Sequence, residues 1–160
     1  MSQPTAVAAA GNVIQAAAAA ARSIVQGNSV DDSRRLVEHA KAVGEYLKAQ
    51  GLATSQIRNV FGTVRRIESN WRVPTSRASD DTAATKAKRT RDSLRELTLL
   101  KPRLAYAASR NPVVRHLADV LTPAIDGVLD GPEDEALQRF AQFLDFFEAI
   151  LAYHRAAGGR

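Results

Sequence analysis

Hydrophobic residues recur along the chain at spacings of three and four, which is the period of a helix with one buried face. The clearest stripe runs through Ile57, Val60, Val64, Ile67 and Trp71. Runs of alternating β-branched residues, which would indicate half-buried strands, are missing from the sequence. The pattern therefore predicts an all-α fold, a single compact bundle of five to six helices.

Helix-breaking residues set the predicted boundaries in the first half of the chain. Gly27-Asn28 should end a first helix, and the acidic pair Asp31-Asp32 favours the start of a second. Gly51 should close the second helix, and Thr54 is a plausible N-cap of the third. The turn between these two helices is short, so we expect them to pack as neighbours.

The second half of the chain carries three proline-marked boundaries. Asn111-Pro112 is typical of a helix start, whereas Thr122-Pro123 should kink or restart that helix. The segment 131–135 should break the chain again before a last helix that carries Phe140, Phe143 and Phe147. The apolar face of that helix is wide, which predicts that it forms the centre of the core.

Two segments differ in composition from the rest. Residues 1–28 are rich in alanine, and we assign them to an N-terminal helical extension of a bundle domain formed by residues 29–160. Residues 73–91 hold many basic and few large apolar residues, which predicts a mobile basic loop whose last residues can join the next helix. Because the alanine run lacks a preceding basic segment and alanine is barely apolar, neither a signal peptide nor a membrane span is expected. With no cysteine in the chain, a cytoplasmic protein is predicted.

The net charge of +5 is unevenly distributed. Residues 51–115 hold 14 basic and 5 acidic side chains, whereas residues 116–160 hold 3 basic and 8 acidic ones. This asymmetry indicates a nucleic-acid surface in the middle of the chain and a different contact in the acidic last third. We expect the acidic residues near Glu133 to face a basic surface of a neighbouring subunit.

No set of residues points to catalysis. His39, His116 and His154 lie far apart without a metal-ligand spacing, and each is expected to be a surface or helix-end histidine. Neither a P-loop nor a GxGxxG pattern occurs, and the carboxylates are isolated. The sequence therefore predicts a protein without enzymatic activity, metal or cofactor.

The basic residues form a pattern of their own. Arg58, Arg65 and Arg72 recur every seven residues and so point to nearly the same side of the third helix, with Arg66 beside them. Gly62 lies between them, where a sugar-phosphate backbone or another helix could come close. The predicted loop and the next helix add further cations: Arg77, Lys86, Lys88, Arg89, Arg91, Arg95, Lys101 and Arg103.

Such a stripe can neutralise phosphates without reading base identity. The alternative is a solvated helix face whose charge serves only solubility. Trp71 could stack on a base, but a lone tryptophan at helical spacing belongs more often to the core.

Three stretches carry a resemblance to a known family. They are Gly51 to Ile67 (GLATSQIRNVFGTVRRI), Leu99 to Arg110 (LLKPRLAYAASR) and Phe140 to Arg155 (FAQFLDFFEAILAYHR), followed by Gly158-Gly159. In order and spacing the chain from Val30 onward resembles the small subunit of type III-A (Csm-type) CRISPR interference complexes. The alanine-rich segment has no counterpart in this resemblance.

The resemblance implies a helical, non-catalytic subunit that contacts guide and target RNA through the sugar-phosphate backbone. Its implied partners are the backbone and large subunits of the complex and further copies of itself. Residues at positions where the family is basic are implied to face RNA: Arg58, Arg65, Arg66, Lys101, Arg103 and Arg110. Further RNA contacts are expected, less securely, from Arg72, Lys86, Lys88, Arg89 and Arg91.

Three other functions compete with this one. Gly51, a short turn and the helix from Thr54 to Arg66 look a little like a helix-turn-helix, which would make the protein a DNA-binding regulator. A purely structural helical adaptor would assemble normally after removal of the arginine row. A small nuclease would need a metal or acid-base set that the sequence does not show.

Overall fold

The computed structural model describes the backbone of residues 6–72 and 81–160 and the side chains of residues 12–72 and 81–160. Within those ranges the chain forms six α-helices and no strand, which confirms the predicted all-α bundle. In chain order these are α1 (Ala6–Gln26), α2 (Val30–Ala49), α3 (Thr54–Trp71), α4 (Ala83–Arg110), α5 (Val114–Leu129) and α6 (Ala136–Ala156), with one 3-10 turn (Glu133–Glu135) before α6.

Helix α6 forms the centre of the bundle, as its wide apolar face predicted. Phe140, Phe143, Phe146 and Phe147 are all fully buried, and the helix packs against α1, α2, α3 and α5. The ring of Phe61 on α3 meets Phe147 edge to face, with the centroids 5.2 Å apart. Such aromatic pairs bury large apolar areas, so α6 supplies much of the hydrophobic stabilisation.

The alanine-rich first helix is built into the same core. Ile14, Ala17 and Ile24 are buried, and α1 packs mainly against α5. The helices approach closely because Gly127 of α5 has no side chain: a Cβ there would lie 3.1 Å from the Cα of Arg22. Gln26 secures the end of α1 by donating to the carbonyls of Gly127 and Asp130 at 3.2 and 2.9 Å. Whether residues 1–28 are an extension peculiar to this chain stays a prediction.

The early helix boundaries follow the predictions with one correction. Ser29 caps α2 in a capping box with Asp32, and Gly51 ends it with a φ of 83°. Thr54 is not the N-cap of α3, since Ala53 holds that position and Thr54 is the first helical residue. Gln56 takes over the capping role, because its side-chain oxygen accepts from the Ala53 amide at 3.1 Å.

The loop between α3 and α4 is shorter than the predicted basic loop at 73–91. Residues 83–91 form the first turns of α4, whose start is capped by the Thr82 hydroxyl. Residues 73–80, with Arg77, lie outside the described residues.

Both internal prolines lie within continuous helices. Helix α4 runs through Pro102, and α5 runs through Pro123, so the predicted restart at Thr122-Pro123 is wrong. Helix α5 begins two residues after the predicted Asn111-Pro112 start, and the Asn111 side chain accepts from the Val113 amide at 3.1 Å. No helix in the described ranges is both long and apolar enough to cross a membrane.

Candidate nucleic-acid interface

The exposed side of α3 carries the predicted arginine row. Ile57, Val64 and Ile67 turn into the core, which leaves Arg58 and Arg65 exposed on the opposite side. Gly62 lies between these two arginines, and a Cβ added there would meet no atom within 4 Å. Since no side chain or neighbouring helix of the described residues packs on that position, a partner has room to approach the helix backbone there.

Glu68 ties two members of the row together. One of its carboxylate oxygens accepts from Arg65 at 2.6 Å, and the other lies 3.2 Å from Nε of Arg72. The Glu68 side chain is only 14% exposed, whereas the side chains of Arg65 and Arg72 are 56% and 54% exposed. Arg58, by contrast, has no ion pair to any described residue. The row is therefore one cation without a described ion pair, followed by two cations that share a single carboxylate and together keep one net positive charge.

Further carboxylates flank the far end of the row. Burial raises the pKa of Asp145 on α6, and the nearby charges of Glu148 and Glu68 raise it further, against the opposing effect of Arg72. The carboxylates of Glu148 and Glu68 beside Asp145 place further negative charge near Arg72. The region around Arg72 is thus less favourable for a phosphate than the region around Arg58.

A groove between α3 and α4 brings together two predicted site residues that are far apart in sequence. Arg66 of α3 and Arg103 of α4 line a space of about 320 Å³. Its other lining residues are Thr63, Ile67, Asn70, Glu96 and Leu99. The two arginines exceed the single Glu96 carboxylate by one positive charge, so the groove suits an anionic backbone.

The other two α4 residues of the predicted set lie apart from this groove. Lys101 forms an ion pair with Asp126 of α5, with Nζ and Oδ1 separated by 2.6 Å, and so faces the α4–α5 side. Arg110, in the last turn of α4, lies over the ring of Tyr106 at 5.8 Å and donates to its hydroxyl at 3.0 Å. The structure therefore does not gather the six residues into a single cluster.

Among the less secure candidates for RNA contact, Arg89 is held by hydrogen bonds within the protein. Its guanidinium forms two hydrogen bonds with Asp81, at 2.9 and 2.8 Å, and a third with the carbonyl of Trp71 at 2.8 Å. These bonds join the end of α3 to the start of α4. The hydrogen bonds from Arg89 hold the pKa of Asp81 below its ordinary value. Lys88 pairs with Asp92 at 3.1 Å, and Lys86 and Arg91 are exposed.

Trp71 belongs to the core, in agreement with the more common role of such a residue. It is 3% exposed, its ring packs on Phe140 with centroids 5.1 Å apart, and its indole donates to Thr90 at 3.2 Å. Base stacking on Trp71 is thereby ruled out in this conformation.

The histidines occupy separate structural positions. His154 was expected at a surface or helix end; it lies in the last turn of α6 but is fully buried, with Nε2 2.6 Å from the carbonyl oxygen of Leu52. His116 meets the ring of Tyr46 edge-on at 5.1 Å. In the described part of the chain, no group of three or more potential metal ligands comes together.

Sequence reasoning missed two kinds of residue. Tyr106 and Leu99 are 63% and 46% exposed on α4, and the signal was their absence from the buried stripe of that helix. Arg139 on α6 is only 8% exposed and donates to the carbonyls of Val128 and Pro132 at 2.9 and 3.0 Å. The hydrophobic pattern could not predict this burial, because arginine counts as a polar, surface residue in such a pattern.

Comparison with known proteins gives a single family. The model of the family described as Csm2 Type III-A matches residues 30–160, which spans α2 to α6 and the C-terminal tail. No curated protein and no solved structure matches the chain. The match confirms the resemblance carried by the three sequence stretches and leaves α1 outside it. The chain therefore belongs to the Csm2 Type III-A family, the small subunits of type III-A Csm complexes, and partners with other subunits of such a complex.

Proposed function

We propose that this subunit binds the sugar-phosphate backbone of the guide and target RNA without reading sequence, and that it stabilises the filament of the complex in the cytoplasm. It does so without catalysis of its own. The proposal covers contacts with the backbone subunits, the large subunit and further copies of this chain. The exposed acidic residues Glu133, Asp134 and Glu135 are proposed to meet a basic surface of a neighbouring subunit.

The observation that carries the RNA contact is the bare helix surface at Gly62. A glycine in a helix interior costs about 0.5–1 kcal/mol relative to alanine. Nothing within the described chain requires one at this position, while Arg58 and Arg65 stand on either side. Phosphate contacts from such a surface position a nucleic acid and ignore base identity, as a subunit used with many guides must do.

Arg66 and Arg103 extend this surface into the α3–α4 groove. Together with Arg58 and Arg65 they give four cations on two adjacent helices. Lys101 and Arg110 remain proposed contacts. Lys101 points to the α4–α5 side, and Arg110 lies two turns beyond Arg103, so each would reach a different stretch of RNA.

The test is a charge reversal with a matched control. Arg58→Glu/Arg65→Glu should weaken binding of a guide-length RNA by at least tenfold. It should also reduce the magnitude of the slope of log K against log salt by roughly 1.4–1.8, since each lost phosphate contact removes about 0.7–0.9. Arg34→Glu/Lys41→Glu is the control, because these exposed α2 cations are also seven residues apart and the charge change is the same. Equal losses in both variants, or none in either, would contradict the proposal.

A further inference from the structure

Helix α4 carries an exposed stripe that its own packing does not need. Leu99, Arg103, Tyr106 and Arg110 are separated by four, three and four residues, so they share one face. The opposite face of the same helix buries Leu97, Leu100 and Leu104. We call the exposed set of four residues the α4 stripe. Tyr106 is 63% exposed and lies between two cations on this face, with the 46% exposed Leu99 at its other end.

We propose that the α4 stripe is a stacking site for unpaired RNA bases, with Tyr106 as the platform. This inference rests on the proposed function, since it assumes that the subunit meets RNA. It extends that function from backbone contact to the faces of single-stranded nucleotides. A tyrosine ring stacks on any base, because every base has a π face, and so the site stays tolerant of sequence.

The geometry around Tyr106 prepares the ring for this role. The Arg110 guanidinium lies 5.8 Å from the ring centroid, and its Nη1 donates to the phenol oxygen at 3.0 Å. These contacts hold the side chain in place while most of its surface remains open. Less conformational freedom is then lost when a base binds.

The cations that flank Tyr106 on α4 indicate an anionic ligand. Arg103 and Arg110 lie seven residues apart, which is about 10 Å along a helix. A nucleotide stacked on the ring between them would have a cation available for the phosphate on each side. Arg66 faces Arg103 across the groove and continues the positive surface toward α3. An acidic protein segment bound here would use only the arginines, and an apolar segment would use only the aromatic ring. A nucleotide uses both.

Single-stranded RNA fits the stripe better than duplex RNA. In an A-form helix the base faces are covered by their neighbours, so a protein reaches mainly phosphates and 2′-hydroxyls. On α3 the rings of Phe61 and Trp71 pack against phenylalanines of α6, so the exposed surface around Gly62 suits that kind of contact. The two surfaces thus divide the work, with α3 on the backbone and the α4 stripe on unpaired nucleotides.

The experiment compares two RNA probes of equal length with the full-length protein. One is a single strand containing 2-aminopurine, and the other is a blunt RNA duplex. Tyr106→Ala should weaken single-strand binding about tenfold, abolish the 2-aminopurine quenching and leave duplex affinity unchanged. Tyr106→Phe keeps the ring and should retain at least half of the quenching.

Other outcomes separate this inference from the proposed function. If Tyr106→Ala binds both probes like the wild type while Arg58→Glu/Arg65→Glu loses both, the stacking site is refuted and backbone binding stands. If the wild type binds neither probe, both ideas fail. If Leu99→Ala and Tyr106→Ala impair assembly with the other subunits without changing RNA affinity, the stripe is a protein-docking face and the inference is overturned.

Discussion

Arg58 and Arg139 are the same residue type in opposite settings. Arg58 is exposed on α3 with no ion pair to any described residue, next to a bare stretch of helix at Gly62. Arg139 is buried and donates to two main-chain carbonyls at the end of α5 and in the following turn. The comparison shows that a count of positive charges predicts an anionic partner, while only the geometry separates ligand-binding from structural arginines.

The largest effect is expected where the arginine is structural. Arg139→Ala should lower the free energy of unfolding by about 3 kcal/mol, because hydrogen bonds to charged groups contribute roughly 1.5–3 kcal/mol each and the carbonyls would lose their donor. Its guanidinium also packs on Gly131, whose φ of 138° defines the turn. Urea denaturation followed by circular dichroism measures the change.

The matched control for Arg139 is an exposed arginine of the same helix. Arg155→Ala should change stability by no more than about 0.5 kcal/mol. RNA affinity of Arg139→Ala, measured at a temperature where it is folded, should equal that of the wild type. A loss below 1 kcal/mol, or weakened RNA binding by the folded variant, would show that the structural assignment is wrong.

An intermediate effect is expected at Glu68, whose partners are exposed like Arg58 but hydrogen-bonded within the protein like Arg139. Its carboxylate holds Arg65 and Arg72 at 2.6 and 3.2 Å, so a phosphate has to compete with it for both cations. Glu68→Gln should raise RNA affinity roughly two- to fivefold, since partly exposed ion pairs are worth up to about 1 kcal/mol. Fluorescence anisotropy with labelled RNA gives the measurement, and Glu38→Gln on the exposed side of α2 is the control. Unchanged or weaker binding would mean that the pairing does not limit access to Arg65.

The fold was predictable because its signals are local. The stripe from Ile57 to Trp71 and the phenylalanines of α6 are buried as the 3.6-residue period requires. Pro123 misled the boundary prediction for a physical reason: packing along the whole of α5 outweighs one lost hydrogen bond. Residues 83–91 look like a loop by composition, yet the Thr82 cap and the Arg89 contacts, which join distant positions, hold them in α4.

The candidate site was predictable only in part. Arg58, Arg65 and Arg66 share one helix, so their spacing places them on adjacent faces without knowledge of the fold. Arg66 and Arg103 line the same groove only because α3 packs on α4. The ion pair of Lys101 with Asp126 likewise depends on tertiary packing, and the ion pair of Arg65 with Glu68 depends on the side-chain rotamers. No periodicity in the sequence carries that information.

A smaller effect of opposite sign is expected at the glycines. Gly62→Ala should raise the free energy of unfolding by roughly 0.5–1 kcal/mol, because it adds helix propensity in open space, and should weaken RNA binding by crowding the phosphates. Gly44→Ala is the contrast: its Cβ would lie 2.7 Å from the carbonyl oxygen of Ile150, so it should destabilise the α2–α6 contact. Thermal denaturation and anisotropy of both variants measure the two effects. If Gly62→Ala is more stable and binds RNA normally, close approach at Gly62 is refuted.

The smallest expected effect is the pH dependence of the Asp81–Arg89 ion pair. It bears on whether Arg89 is a structural arginine, like Arg139, or an RNA-facing one, as proposed for Arg58. Because the pKa of Asp81 is lowered in the folded protein, its contribution to stability is complete above the unfolded value of about 3.9 and is lost as the pH falls through the folded value. The difference in stability between the wild type and Asp81→Asn should therefore be constant from pH 7 to about pH 5 and narrow below about pH 4. Denaturation curves at pH 7, 5, 4 and 3 measure it.

RNA affinity at neutral pH completes that test. If Arg89 is structural like Arg139, Asp81→Asn binds RNA as the wild type does, because the guanidinium still donates to the carbonyl of Trp71 at 2.8 Å and stays between α3 and α4. If it is a phosphate ligand, as proposed for Arg58, removal of its competing carboxylate increases affinity, as expected for Glu68→Gln. Tighter RNA binding by Asp81→Asn would therefore move Arg89 from the structural arginines to the RNA-facing ones.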